Sequence, residues 1–162
     1  MIKYCGRPEN FNELIWKGLE GLPKGCTLIH LGDICIGRDV ETHDRIKLLP
    51  YKKILVKGNH DKKSNSWYLS HGWDFVCNSF SDIILGKNIL FSHKPADYSY
   101  YDDLNIHGHT HNNDIVDDIE DNKRILYAQE YNNYKPIKIE TIINEHIKII
   151  QKRTTGTMRG LL

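Results

Sequence analysis

The four cysteines, Cys5, Cys26, Cys35 and Cys77, stand without a single C-x-x-C pair in 162 residues. That spacing excludes a zinc ribbon and a thioredoxin-like centre, and leaves free thiols buried in a reducing cytosol as the expectation. No stretch approaches the roughly 18 consecutive apolar residues of a membrane span. The N-terminus also lacks a basic segment followed by an apolar run, so a cytoplasmic protein with no membrane partner is expected. An excess of either charge is missing too. With 22 Lys and Arg against 21 Asp and Glu, the formal net charge is +1. Phosphate neutralisation needs clustered basic side chains, so a broad nucleic-acid face is not indicated, although a local groove for a nucleotide or nucleic acid stays open. Repeats, low-complexity tracts and linkers are absent, and one domain over 1–150 with a frayed tail at 151–162 is the expected organisation.

The segments that are present alternate between two periodicities. Asn10 and Glu13 form a capping-box pattern, and Phe11, Leu14, Ile15, Leu19 and Leu22 share a helical face up to Pro23. The runs CTLIHLGD (26–33) and KKILVKGN (52–59) are short, β-branched and end in glycine plus a polar residue, as buried strands do. A short helix fits 41–49 between them, and another fits 64–71. WDFVC, SDIILG and NILFSH read as strands, with a hairpin turn at 86–88. LNIHGHTH and KRILYA read as further strands, separated by an acidic loop. Ile139, Ile142, Ile143, Ile147 and Ile150 suit a helix, while their β-branching leaves a strand open.

Four of these runs stop at side chains able to bind metal: Asp33, then Asn59 and His60, then His93, then His109 and His111. In open α/β sheets ligands gather at the carboxyl ends of strands, so segments far apart in sequence would converge on one edge. A mixed oxygen and imidazole set suits Mn, Fe, Zn or Ni better than Ca. Taken singly, each residue has a plainer reading. A strand-end aspartate is usually a turn or cap residue, His30 a satisfied core histidine, and His43, His71 and His146 surface residues. Tyr98, Tyr100 and Tyr101 could stack on a ring or simply pack together.

The order GD (32–33), GNHD (58–61), a lone His93 and GHTH (108–111) resembles the calcineurin-like metallophosphoesterases. The small phage- and bacteria-type members are the nearest in pattern, since YCGRP (4–8) and NYKP (133–136) also match. The resemblance implies an α/β fold, a metallophosphoesterase-type β-sandwich flanked by helices. It implies hydrolysis of a phosphomonoester or phosphodiester by a hydroxide held between two divalent ions, with manganese first among the metals. Asp33 would bridge the ions; Asn59, His93 and His109 would complete one site, and His111 would serve the other. His60 would protonate the leaving oxygen with Asp61 orienting its ring, and Arg7 could contact a substrate phosphate.

One family motif, the leading D-x-H, is absent, and with it the strand that carries it. The expectation is therefore a sandwich lacking its first strand and an incomplete first metal site, with one ion in place of two. An inactive relative that binds phosphate ligands or a protein partner on the same fold is the alternative.

Overall fold

The structure is a computed structural model that describes residues 6–96, 103–110 and 123–158, with side chains as far as residue 148. It is a mixed α/β fold of two sheets flanked by helices. In chain order the elements are α1 (Phe11–Glu20), β1 (Thr27–His30), α2 (Asp39–Lys47), β2 (Lys52–Val56) and α3 (Asn65–Ser70). There follow β3 (Phe75–Cys77), β4 (Ser79–Ile84), β5 (Lys87–Ser92), β6 (Leu104–His107), β7 (Arg124–Leu126), a 3-10 turn (Gln129–Asn132) and α4 (Ile139–Met158).

The first sheet has the order β1-β2-β3 and is wholly parallel, with His30 opposite Leu55 and Val56 opposite Cys77. The second has the order β4-β5-β6-β7, in which only the β4-β5 hairpin is antiparallel. The hairpin turn is Leu85-Gly86, with φ of 52° and 73°. Two left-handed residues match the twist of the flanking strands, which puts the tight turn one residue earlier than the sequence reading had it.

Leu55 and Val56 are both fully buried, yet they belong to different cores. Adjacent residues of a strand point to opposite faces, so β2 supplies both sides of its sheet. Val56 packs between the sheets with Ile89, Phe91, Leu104 and Ile106, and Ile143 of α4 joins them. Leu55 faces the helices, against Ile46 of α2, Tyr68 of α3 and Trp73. A sandwich covered by helices follows from this alternation.

Several local expectations are corrected. Asn10 precedes α1, but its side chain makes no capping bond, whereas Ser64 caps α3 by accepting the Trp67 amide at 3.2 Å. The 139–150 segment is helix, its isoleucines Ile139, Ile142, Ile143 and Ile147 packing on the inter-sheet core. This helix continues to Met158, so the segment expected to fray from 151 is helical for most of its length. Cys26, Cys35 and Cys77 are free, and half-buried instead of fully buried. Among the described residues no helix is long and apolar enough to cross a membrane.

Candidate metal centre

Both sheets deliver their polar residues to the same end, because β1 and β2 run parallel in one and β5 and β6 run parallel in the other. Asp33 and Asn59 follow β1 and β2; His93 and His109 follow β5 and β6. The β5-β6 register pairs Ser92 with His107, and the Gly108 amide then donates to the His93 carbonyl at 3.0 Å. Asp33 and His109 both take left-handed backbone, with φ of 54° and 69°. Such conformations cost about 1 kcal/mol or more outside glycine and gather at functional turns.

His93 is the centre of the cluster. Its Nδ1 lies 2.6 Å from the Leu31 carbonyl, which can only accept, so Nδ1 carries the proton and Nε2 presents a lone pair. That Nε2 lies 3.0 Å from Asn59 Oδ1, 3.0 Å from His109 Nδ1 and 3.3 Å from Asp33 Oδ2. Asp33, His93 and His109 form a group close enough to hold one metal ion. Four groups rich in lone pairs repel one another unless a proton or a cation lies among them. A second-row anchor on the far ring nitrogen, such as the Leu31 carbonyl, is what metal-ligating imidazoles commonly have. The donor set therefore fits a divalent ion with nitrogen and oxygen ligands.

Two glycines make the approach possible. A Cβ on Gly32 would lie 2.7 Å from both Gly58 Cα and His93 Nδ1. A Cβ on Gly58 would fall on Asp33, 2.5 Å from its amide nitrogen and 2.7 Å from its Cγ. The glycine that ends each apolar run was visible in the sequence, and close backbone approach is its reason.

The remaining sequence-singled residues fall out as follows. His60 is exposed beside the cluster, and its amide donates to Asp33 Oδ1 at 2.8 Å. Asp61 is buried, and its oxygens accept backbone amides: Oδ2 takes Asp33 and Gly58, each at 2.7 Å, and Oδ1 takes Ile34 at 3.3 Å. The carboxylate expected to orient the His60 ring is thus engaged by the backbone of two loops. Arg7, expected near a substrate phosphate, pairs with Glu130 at 2.7 Å, the two side chains only 11% and 6% exposed. His111 and the tyrosines at 98, 100 and 101 lie outside the described residues. His30 is a core histidine whose Nδ1 accepts the Gly32 amide at 3.1 Å, and burial pushes its pKa down.

No protein-family model matches the chain, and no curated protein does either. Among solved structures, the crystal structure of the protein of unknown function AQ665 from Aquifex aeolicus is 30% identical, with a TM-score of 0.69 over 88% of each chain. The chain belongs to the family of AQ665. A novel archaeal phosphodiesterase, structurally and functionally characterised, is 20% identical with a TM-score of 0.46, covering 63% of this chain and 66% of its own. That likeness is too slight to bear on the chemistry here.

In this AQ665-family chain a second group of possible ligands comprises Cys35, Asp39 and His43. His43 was expected at the surface, but it is 1% exposed, packed against Trp67, Tyr68 and Trp73. The Trp73 Nε1–H donates to His43 Nδ1 at 2.9 Å, so the ring proton sits on Nε2. Binding a cation through Nε2 would strip the ring of its last proton, and burial pushes the Cys35 thiol up towards its neutral form. This group suits a packed core better than a metal. The first group also borders a cavity of about 590 Å³, lined by Ile15, Leu19, Ile29, Phe91, Ile106 and Ile142.

Proposed function

We propose that this chain is a metal-dependent phosphoesterase of the calcineurin-like type, acting on a phosphomonoester or phosphodiester. The observation that carries the reading is the meeting of ligand-capable atoms of Asp33, Asn59, His93 and His109 around one point, with His93 Nε2 within 3.3 Å of the other three. Those four residues would hold the ion, with manganese first by the family resemblance, and His111 would be left to the incomplete second site. Bound there, a divalent ion supplies a Lewis acid for a phosphoryl oxygen and lowers the pKa of a water.

The chain's own part is to orient and to move a proton. His60 stands at the solvent side of the cluster, its backbone held by Asp33, and in this reading its imidazole donates a proton to the leaving oxygen. Asp33 carries two tasks at once, since Oδ1 accepts the His60 amide while Oδ2 faces the ligand group. The Arg7 charge is met by Glu130, and substrate phosphate is left to the metal and His60.

The test is hydrolysis of p-nitrophenyl phosphate and bis(p-nitrophenyl) phosphate with manganese, alongside manganese titration calorimetry. Wild type should turn over at least one ester. His60→Ala should lose 100-fold or more in kcat, within the range for general acid catalysis, and keep its metal affinity. Metal uptake with no turnover of either ester by wild type would overturn the enzyme reading in favour of a binding module on this fold.

A further inference from the structure

We propose that Asp61 is a positioning residue that fixes the spacing of the two loops carrying Asp33 and Asn59. The functional consequence rests on the metal-dependent reading above, but the geometry stands apart from it. Oδ2 of Asp61 accepts the amides of Asp33 and Gly58, each at 2.7 Å, and Oδ1 accepts that of Ile34 at 3.3 Å. Asp33 and Ile34 belong to the loop after β1, whereas Gly58 directly precedes Asn59 in the loop after β2. One carboxylate therefore ties the exits of two parallel strands.

The tie is reciprocal. Asp33 Oδ1 accepts the amide of His60 at 2.8 Å, so each aspartate accepts an amide from the loop of the other. The junction is tight, because Gly32 and Gly58 touch there and a Cβ on either would collide with the facing loop. Side-chain packing cannot hold two bare backbones at such a distance, whereas charge-assisted hydrogen bonds from backbone amides can. Asp61 is 6% exposed, so its amide partners take the place of water. The same bonds restrain Asp33 at φ 54°, a conformation an aspartate would otherwise leave readily. A ligand set whose members come from different strands needs such a device, since an error in loop spacing moves one ligand relative to the rest.

The opposing model has Asp61 acting through the His60 ring. Asp61→Asn separates them, because an amide offers one acceptor oxygen and turns an NH2 group towards backbone donors. Manganese affinity is measured by calorimetry for Asp61→Asn alone and in a His60→Ala background. Amide hydrogen exchange is followed on the metal-free proteins. We expect a 10- to 100-fold loss of affinity in both backgrounds, the range found when residues behind metal ligands are changed. Exchange should accelerate at Asp33, Ile34 and Gly58, with Ile54 and Leu55 in β2 unchanged. Affinity lost only when His60 is present, or unchanged exchange at the three amides, would overturn the proposal. Absence of manganese binding by wild type would defeat the metal reading instead, and the exchange pattern alone would then decide the role of Asp61. Should Asp61→Asn not fold, Asp61→Glu keeps the charge with one more methylene and should show a smaller affinity loss, again in both backgrounds.

Discussion

The imidazole of His93 donates its Nδ1 proton to the main-chain carbonyl of Leu31 across 2.6 Å, from one sheet of the sandwich to the other. The contact joins residues 62 positions apart and selects the tautomer that leaves Nε2 free. Long-range nitrogen-proton NMR on metal-free protein at pH 8 should show His93 protonated at Nδ1 alone. Adding zinc, a diamagnetic substitute, should shift the Nε2 resonance most. An Nε2-protonated ring at that pH would refute the assignment.

Gly58 tests the close approach of the loops. Gly58→Ala places a methyl group on Asp33, at 2.5 Å from its amide nitrogen. Gly58 does not take left-handed backbone, so the effect is steric. Overpacking of this kind costs about 1 to 3 kcal/mol. Urea unfolding should show that loss together with a 10-fold or greater drop in manganese affinity, whereas a variant as stable and as metal-competent as wild type would mean the loops can part without consequence.

Arg7 and Glu130 should matter for stability and little for metal. Breaking a buried pair by removing one partner costs about 3 to 5 kcal/mol. Glu130→Gln should lower the urea midpoint accordingly and leave manganese affinity within twofold. A Glu130→Gln protein of normal stability and weakened substrate KM would instead point to Arg7 at the substrate.

Acid should weaken the fold through its buried histidines. Desolvation pushes His43 down to about 4, and burial lowers His30 and His107 as well. The unfolded chain takes up these protons near pH 6.5, before the folded one does. Stability is thus complete above about pH 6.5 and falls as pH drops towards 4, by up to about 3 kcal/mol for His43. Chemical denaturation of metal-free protein at pH 7.5 and pH 4.5 should show the drop, and His43→Gln should flatten it. An unchanged slope in that variant would remove His43 as its source.

The secondary structure was legible because its signals are local. The apolar, β-branched run of KKILV, the glycine closing LGD and KGN, and the isoleucine face of 139–147 are set by residues that lie close along the chain. Their physical cause lies in the backbone, so they survive without knowledge of what packs on them. Candidate ligands were legible for the same reason, as polar residues placed just beyond apolar strands. His43 was not. It lies in a mostly polar helix, and the meeting of α2 with Trp67, Tyr68 and Trp73 buries it.

Sequence by itself determined the strands, the helices and the residue types at each strand end, because propensity and periodicity act within a few residues. The tertiary structure alone decided what those residues touch. Asp61 could equally have met the imidazole beside it in the chain; the parallel pairing of β1 and β2 brings it the amides of Asp33 and Ile34, 28 and 27 positions away. Arg7 finds Glu130 across 123 positions and His93 finds Leu31 across 62. Hydrogen bonds and ion pairs are short-range in space and indifferent to distance along the chain, so partners of this kind exist only once the sheets have closed.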